Sequence, residues 1–155
     1  MKTKKLVYGA VVAAIYSVLT VLLAPISYGP VQVRIAEALT VMPAISTSSI
    51  FGLFAGCLIA NLFSGGIIDI IFGSLTTLTA AICSYYLKKH KWLVPLPPVV
   101  LNGLVVGGYL TYIYGGLWYV NMLTVALGQF VSCYALGMPL LMLVDNNKRL
   151  KEILK

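Results

Sequence analysis

Charged residues are scarce in this sequence, and acidic ones are the scarcest. Its 155 residues include 4 Asp and Glu and 11 Lys and Arg, while 60% of the residues are hydrophobic. Inside the apolar body, residues 6–144, the charged side chains are Arg34, Glu37, Asp69, Lys88, Lys89 and Lys91. This composition is typical of a membrane protein. An ionisable group inside a bilayer costs about 2.5–3.5 kcal/mol, so Arg34, Glu37 and Asp69 are candidate functional residues.

The residues of common catalytic and metal sites are absent or scattered. The sequence has no glycine-rich phosphate loop ending in lysine, no H-E-x-x-H and no G-x-S-x-G. We therefore expect neither ATP hydrolysis nor hydrolase chemistry in this chain. Cys57, Cys83 and Cys133 lie far apart in apolar runs without a C-x-x-C spacing, which argues against a disulfide framework or a zinc site. We predict a protein that is not an enzyme and has no cofactor.

The excess of positive charge, +7 at pH 7, fits the topology of a membrane protein better than a nucleic-acid surface. The basic residues form three clusters: Lys2, Lys4 and Lys5; Lys88, Lys89 and Lys91; Lys148, Arg149, Lys151 and Lys155. Such clusters mark the cytoplasmic loops of membrane proteins. We expect contacts with membrane lipid and none with nucleic acid.

Apolar runs predict six membrane crossings within one domain, residues 1–155. The predicted spans are Leu6–Ala24, Ile35–Ile45, Ser48–Phe63, Ile67–Leu87, Pro97–Tyr114 and Leu117–Val144. The first run is too long for a typical signal-peptide core, and signal cleavage there is a minor alternative. The second is short, about 18 Å as an α-helix, and joining it to the third through Pro43 would leave five crossings.

The basic clusters favour six crossings over five. Six spans place 10 of the 11 Lys and Arg on one side of the membrane, whereas five place the second and third clusters opposite the N-terminus. We therefore predict an all-α membrane protein with six transmembrane helices in one bundle. Both termini would be cytoplasmic, and the protein would be a multi-pass protein of the plasma membrane.

This topology brings several polar residues to one depth, in the outer half of the membrane. They are Gln32, Arg34, Glu37, Asn61 and Asp69. Two alternatives remain: Arg34 and Glu37 form a self-satisfied ion pair, and Asp69 is a helix-start carboxylate stabilised by the macrodipole. Because separate structural roles would not need to share a depth, we favour one external-facing pocket for a small polar ligand.

Two further polar residues, Asn102 and Gln129, are predicted near mid-membrane. Each either lines the floor of the pocket or bonds a neighbouring helix, an interaction worth about 0.6 kcal/mol. Tyr109, Trp118 and Asn121 are weaker candidates, because aromatic residues at helix ends are usually interfacial anchors.

Small residues recur four apart and predict close helix packing. The pairs are Ala10 with Ala14, Gly52 with Gly56, Gly103 with Gly107, and Gly128 with Ser132.

One segment carries a specific resemblance. Residues Gly29–Pro43, which read GPVQVRIAEALTVMP, resemble the signature of the queuosine-precursor transporter family. The likeness extends over nearly the whole chain, through Gly56–Asn61, Asp69–Ser74, Pro95–Pro98 and Asn102 to residues 128–139. Members of this family are substrate-binding S-components of energy-coupling factor (ECF) transporters.

The resemblance implies a fold and partners. The fold is a six-helix membrane protein with both termini inside. The partners are a coupling membrane subunit and two ATP-binding cassette subunits, and the coupling subunit would dock on an alanine-x-x-x-alanine motif of the first helix. Ala10 and Ala14 match that spacing.

The resemblance also implies the ligand, a 7-deazaguanine such as preQ0, preQ1 or queuine. A carboxylate, Glu37 or Asp69, would accept hydrogen bonds from the guanine-like edge, and the other would pair with the aminomethyl cation of preQ1. Arg34 would donate to the O6 carbonyl or orient Glu37. Gln129 stands where family members often have an acidic residue, which leaves substrate preference open.

Two other functions remain open. One is an S-component for another vitamin, and the other is a stand-alone ion-coupled carrier that uses Arg34, Glu37 and Asp69 as a proton relay. A ligand-free membrane adaptor is a third.

Overall fold

The structure, a computed structural model, describes residues 2–28, 32–64 and 66–154. Gly29, Pro30 and Val31, which belong to the family-like segment, lie outside the described residues.

The described residues form helices and connecting turns, with no strand among them. The helices are α1 (Lys2–Leu22), α2 (Ala24–Ser27), a 3₁₀ helix (Ile35–Ala44), α3 (Ser48–Ser64), α4 (Asp69–Lys89), α5 (Leu96–Tyr114), α6 (Trp118–Asn146) and α7 (Lys148–Leu154). The boundaries lie close to the spans expected from the apolar runs, so the all-α prediction is confirmed.

Four helical segments are long and apolar enough to cross a membrane: Thr3–Leu22, Asp69–Lys89, Lys91–Tyr114 and Trp118–Asn146. They correspond to the first, fourth, fifth and sixth predicted spans. The other two predicted spans are the 10-residue 3₁₀ helix and the 17-residue α3. Their lengths are about 20 Å and about 25 Å, both shorter than the bilayer core.

The second predicted span differs from expectation in its geometry, because it is a 3₁₀ helix rather than an α-helix. Two of its residues weaken an α-helical hydrogen-bond ladder. Pro43 has no N–H to donate, and the hydroxyl of Thr40 donates to the carbonyl of Glu37 at 2.6 Å. Residues 45–47 separate it from α3, so the two segments are distinct helices.

The 3₁₀ helix forms the centre of the molecule. Seven of its ten residues are buried: Ala36, Glu37, Ala38, Thr40, Val41, Met42 and Pro43. It packs against α1, α4 and the middle of α6. A segment that carries a carboxylate is thus surrounded by the longer helices.

Small residues bring neighbouring helices into close contact, as predicted. A Cβ atom at Gly56 of α3 would lie 2.7 Å from the carbonyl oxygen of Ala13 on α1. A Cβ atom at Gly107 of α5 would lie 2.6 Å from the Cα of Met122 on α6. Larger side chains would force these helix pairs apart.

The three basic clusters lie at one end of the bundle. Lys91, before α5, and Lys151, on α7, both form ion pairs with Asp145. Lys4 of the N-terminal cluster lines the same groove as Leu154 of α7. Lys4 of α1 and Leu154 of α7 therefore lie at the same end of the described bundle.

Candidate polar site

Arg34 is buried at the start of the 3₁₀ helix and reaches toward α4. Its side chain is 3% exposed, and its Nη2 lies 3.7 Å from Oδ1 of Asp69. Its Nε donates to the carbonyl of Ser27 at 3.2 Å, and the guanidinium lies 4.8 Å from the ring centroid of Tyr28. The ion-pair partner of Arg34 is therefore Asp69 and not Glu37, which removes the alternative of a self-satisfied Arg34–Glu37 pair.

Asp69 connects three elements at the start of α4. It is the first residue of a π-helical turn, Asp69–Gly73. Its Oδ1 accepts a hydrogen bond from the hydroxyl of Tyr109 on α5, in addition to the ion pair with Arg34. A carboxylate with two partners on other segments does more than stabilise its own helix start.

Asn61, at the end of α3, has its amide occupied by protein groups. Its Nδ2 donates to the carbonyl of Asp69 at 2.8 Å and lies 3.4 Å from Oγ of Ser74. Its Oδ1 accepts from the hydroxyl of Tyr28 at 3.0 Å. Asn61 lies where the sequence places it, and these contacts hold the first turns of α4 against α3.

Glu37 is fully buried in the 3₁₀ helix. Its Oε1 accepts a hydrogen bond from the hydroxyl of Tyr16 on α1, while Oε2 has no partner among the described residues. Its backbone carbonyl accepts from Thr40 and lies 3.6 Å from Sγ of Cys133. One oxygen of this carboxylate is thus held by the protein and the other is available.

The two mid-membrane amides have different surroundings. Gln129 is buried, and its Oε1 lies 3.8 Å from Sγ of Cys133, which also contacts Glu37. Asn102 is buried on α5, and its Nδ2 lacks a partner in the described part of the chain. It lies seven residues, or about two turns, before Tyr109, so both are on one face of α5.

Gln32 has an unusual backbone conformation. Its φ is 44°, in the left-handed region, and the residue is 3% exposed. Its carbonyl accepts from the N–H of Arg34 at 3.1 Å. Such a conformation costs about 1–3 kcal/mol outside glycine and is found where surrounding contacts enforce it, often at ligand sites.

Three predicted site residues share a further property: each has a buried polar atom without a hydrogen-bond partner. These atoms are Oε2 of Glu37, Nδ2 of Asn102 and Nη2 of Arg34, whose ion pair with Asp69 at 3.7 Å is too long for a hydrogen bond. Elsewhere in the described ranges, the buried hydroxyls of Tyr8 and Ser27 also lack a hydrogen-bond partner. A buried polar group left unpaired costs about 1–3 kcal/mol, so native proteins rarely keep one without a reason. Two donors and one acceptor suit a ligand that offers both acceptor and donor atoms.

Comparison with known proteins identifies the family of this chain. Residues 6–146 match the QueT transporter family. The chain belongs to the QueT transporter family. It is 40% identical over 79 residues to the queuosine precursor transporter QueT of Lactococcus lactis subsp. cremoris (strain MG1363). That alignment covers 50% of this chain and 47% of the relative, and so spans about half the length of each. No solved structure matches.

The match to the QueT transporter family confirms the resemblance that residues 29–43 carry. The family is one of transporters. The apolar helices of this chain fit a membrane location. The residues that the structure describes contain no group of three His, Cys, Asp or Glu side chains that could hold a metal ion.

Sequence reasoning missed two tyrosines of this QueT-family site and ranked a third as weak. Tyr16 and Tyr28 were not expected to contact Glu37 and Asn61, and Tyr109 was expected to be an interfacial anchor. One signal was available for Tyr16. It lies within an apolar span rather than at its end, where a hydroxyl needs a partner.

Proposed function

We propose that this chain is the substrate-binding S-component of an ECF transporter. It captures a queuosine precursor, a 7-deazaguanine such as preQ1, preQ0 or queuine, from outside the cell. A coupling membrane subunit and two ABC ATPase subunits then drive inward release. The membership in a transporter family and the named relative support this proposal.

The observation that carries the proposal is the set of three buried site atoms that have no hydrogen-bond partner. Oε2 of Glu37 is an acceptor, and Nη2 of Arg34 and Nδ2 of Asn102 are donors. A deazaguanine presents N–H donors at N1 and the exocyclic amine beside the O6 acceptor, which is the complementary pattern. In this assignment Glu37 accepts from the ring edge, while Arg34 and Asn102 are available to O6.

The remaining site residues hold this arrangement. Asp69 orients Arg34 through their ion pair, and Asn61 fixes the start of α4. We include Gln32, whose carbonyl accepts from the N–H of Arg34, and Gln129, whose Oε1 lies 3.8 Å from Sγ of Cys133, as further contacts of the ligand. A ligand bound among them would contact five different segments of the bundle.

The proposed partners fit the outer surface of α1. Ala10 and Ala14 are both exposed, on the side of the helix opposite the buried Tyr16. Exposed small residues four apart allow a second helix to approach closely. We assign this face to the coupling subunit.

The test is a titration of the detergent-purified chain with preQ1, preQ0, queuine and guanine by calorimetry, with riboflavin as a control. We expect saturable binding of at least one deazaguanine. Glu37→Gln should lose most of this binding while the melting temperature stays close to that of the wild type, because the amide replaces one acceptor oxygen by a donor.

Two outcomes would contradict the proposal. A monodisperse wild-type protein that binds none of the deazaguanines would rule out the assigned substrate. Uptake that collapses with an uncoupler and needs no ATPase partner would instead establish an ion-coupled carrier.

A further inference from the structure

We propose that Tyr16 is a positioning residue for ligand recognition, acting by holding the Glu37 carboxylate in one orientation. This inference rests on the proposed function. Tyr16 is fully buried on α1, and its hydroxyl donates to Oε1 of Glu37. The two residues are 21 positions apart in the sequence, so the contact joins α1 to the 3₁₀ helix.

The surroundings of Tyr16 give its hydroxyl no role in packing. Its ring belongs to a cluster of buried hydrophobic residues with Val12, Ala36, Leu53, Cys57 and Ala81. A phenylalanine would satisfy these neighbours equally well, and without burying a polar group. The hydroxyl is therefore explained by its partner, the carboxylate of Glu37.

The hydrogen bond determines what Glu37 can offer. With Oε1 occupied by Tyr16, Oε2 is the oxygen left without a partner. The backbone of Glu37 is held as well, since its carbonyl accepts from Thr40 at 2.6 Å. A side chain fixed at both ends presents one acceptor in one direction, which lowers the entropy cost of binding a ligand donor.

The second carboxylate of the site, Asp69, also accepts a hydrogen bond from a tyrosine, but its charge is compensated differently. Tyr109 donates to Oδ1 of Asp69, and the same oxygen faces Arg34. The charge of Asp69 is thus paired within the protein, whereas Oε2 of Glu37 is left for the ligand. We infer that the two tyrosines orient two carboxylates, and that Tyr16 serves the one that contacts ligand directly.

The first measurement is the affinity of purified Tyr16→Phe for preQ1. We expect binding about tenfold weaker than wild type, the change that corresponds to one hydrogen bond to a charged group. Tyr8→Phe is the matched control, because Tyr8 is on the same helix about 12 Å earlier and should bind as wild type does. Wild-type affinity in Tyr16→Phe would overturn the inference.

The second measurement separates positioning from packing. The infrared carboxylate band of Glu37, assigned by its loss in Glu37→Gln, should shift in Tyr16→Phe and stay in place in Tyr8→Phe. Weaker binding with an unshifted band would mean that Tyr16 acts through packing, and the inference would fail. The band is measured without ligand, so it tests the contact even if the wild type binds no deazaguanine and the proposed function fails.

Discussion

The two buried carboxylates of the site differ in how their charge is compensated. Asp69 lies beside the guanidinium of Arg34, whereas Glu37 receives a neutral hydroxyl from Tyr16. One formal positive and two formal negative charges leave a net charge of −1 for these three ionisable side chains. A net charge in a buried site is unfavourable unless a counter-charge joins it.

This charge count predicts that a cationic ligand binds more tightly than a neutral one with the same ring. We expect preQ1, with its aminomethyl cation, to bind about tenfold more tightly than preQ0, with its neutral nitrile, because hydrogen bonds between charged groups contribute about 1.5–3 kcal/mol. Calorimetry with both ligands measures the ratio. The ratio should fall in Asp69→Asn, which removes one negative charge, and equal wild-type affinities would contradict the prediction.

At the scale of elements, both π-helical segments lie at the site. One begins at Asp69, and the other, Val131–Gly137 within α6, begins two residues after Gln129 and contains Cys133. A π-helical turn widens a helix locally and often occurs at functional sites. Here the turn Val131–Gly137 packs against the 3₁₀ helix that carries Glu37, and the turn Asp69–Gly73 packs against α3 and α5.

How far the sequence predicts the molecule depends on the type of signal. Long apolar runs determine the helices within a few residues. The structure brings Arg34 and Asn61 into contact with Asp69, and the sequence groups these three residues by an expected shared depth. The choice of Asp69 over Glu37 as the partner of Arg34 is not available from spacing, because it depends on how the 3₁₀ helix is oriented. The π-helical turns have no local signature in the sequence either.

The two faces of α1 lead to a prediction about assembly. Its inner face carries Tyr16, and its outer face carries the exposed Ala10 and Ala14. We expect Ala10→Leu together with Ala14→Leu to abolish co-purification of the coupling and ATPase subunits while preQ1 affinity stays at the wild-type value. The added bulk prevents close helix approach without touching the site.

The control for this assembly experiment is Val11→Leu. Val11 is also exposed on α1 but lines a different groove, beside Leu154. The Val11→Leu variant should co-purify with the coupling and ATPase subunits at the wild-type level. If the double variant still binds its partner subunits at the wild-type level, the prediction is wrong. The docking face would then lie elsewhere on the bundle.

At the scale of the whole molecule, basic residues gather at one end. The basic clusters converge on Asp145 and on the groove between Lys4 and Leu154. The end of α5 and the start of α6 expose Tyr112, Tyr114 and Trp118, and the basic end exposes Tyr86 and Trp92, so aromatic residues lie at both ends. Basic loops favour the cytoplasmic side and aromatic belts the interfaces, so we place the turn between α5 and α6 outside the cell.

This orientation predicts which positions a membrane-impermeant maleimide reaches in intact cells. Leu117→Cys, exposed in the turn between α5 and α6, should be labelled from outside, whereas Thr3→Cys, His90→Cys and Asn147→Cys should be labelled only after permeabilisation. The unmodified chain sets the background, since Cys57 and Cys133 are buried and Cys83 is partly buried. Five crossings would instead place Thr3 on the side opposite His90 and Asn147. If only Thr3→Cys is labelled from outside, and His90→Cys and Asn147→Cys are not, the chain has five crossings. The 3₁₀ helix and α3 would then cross the membrane together as one span.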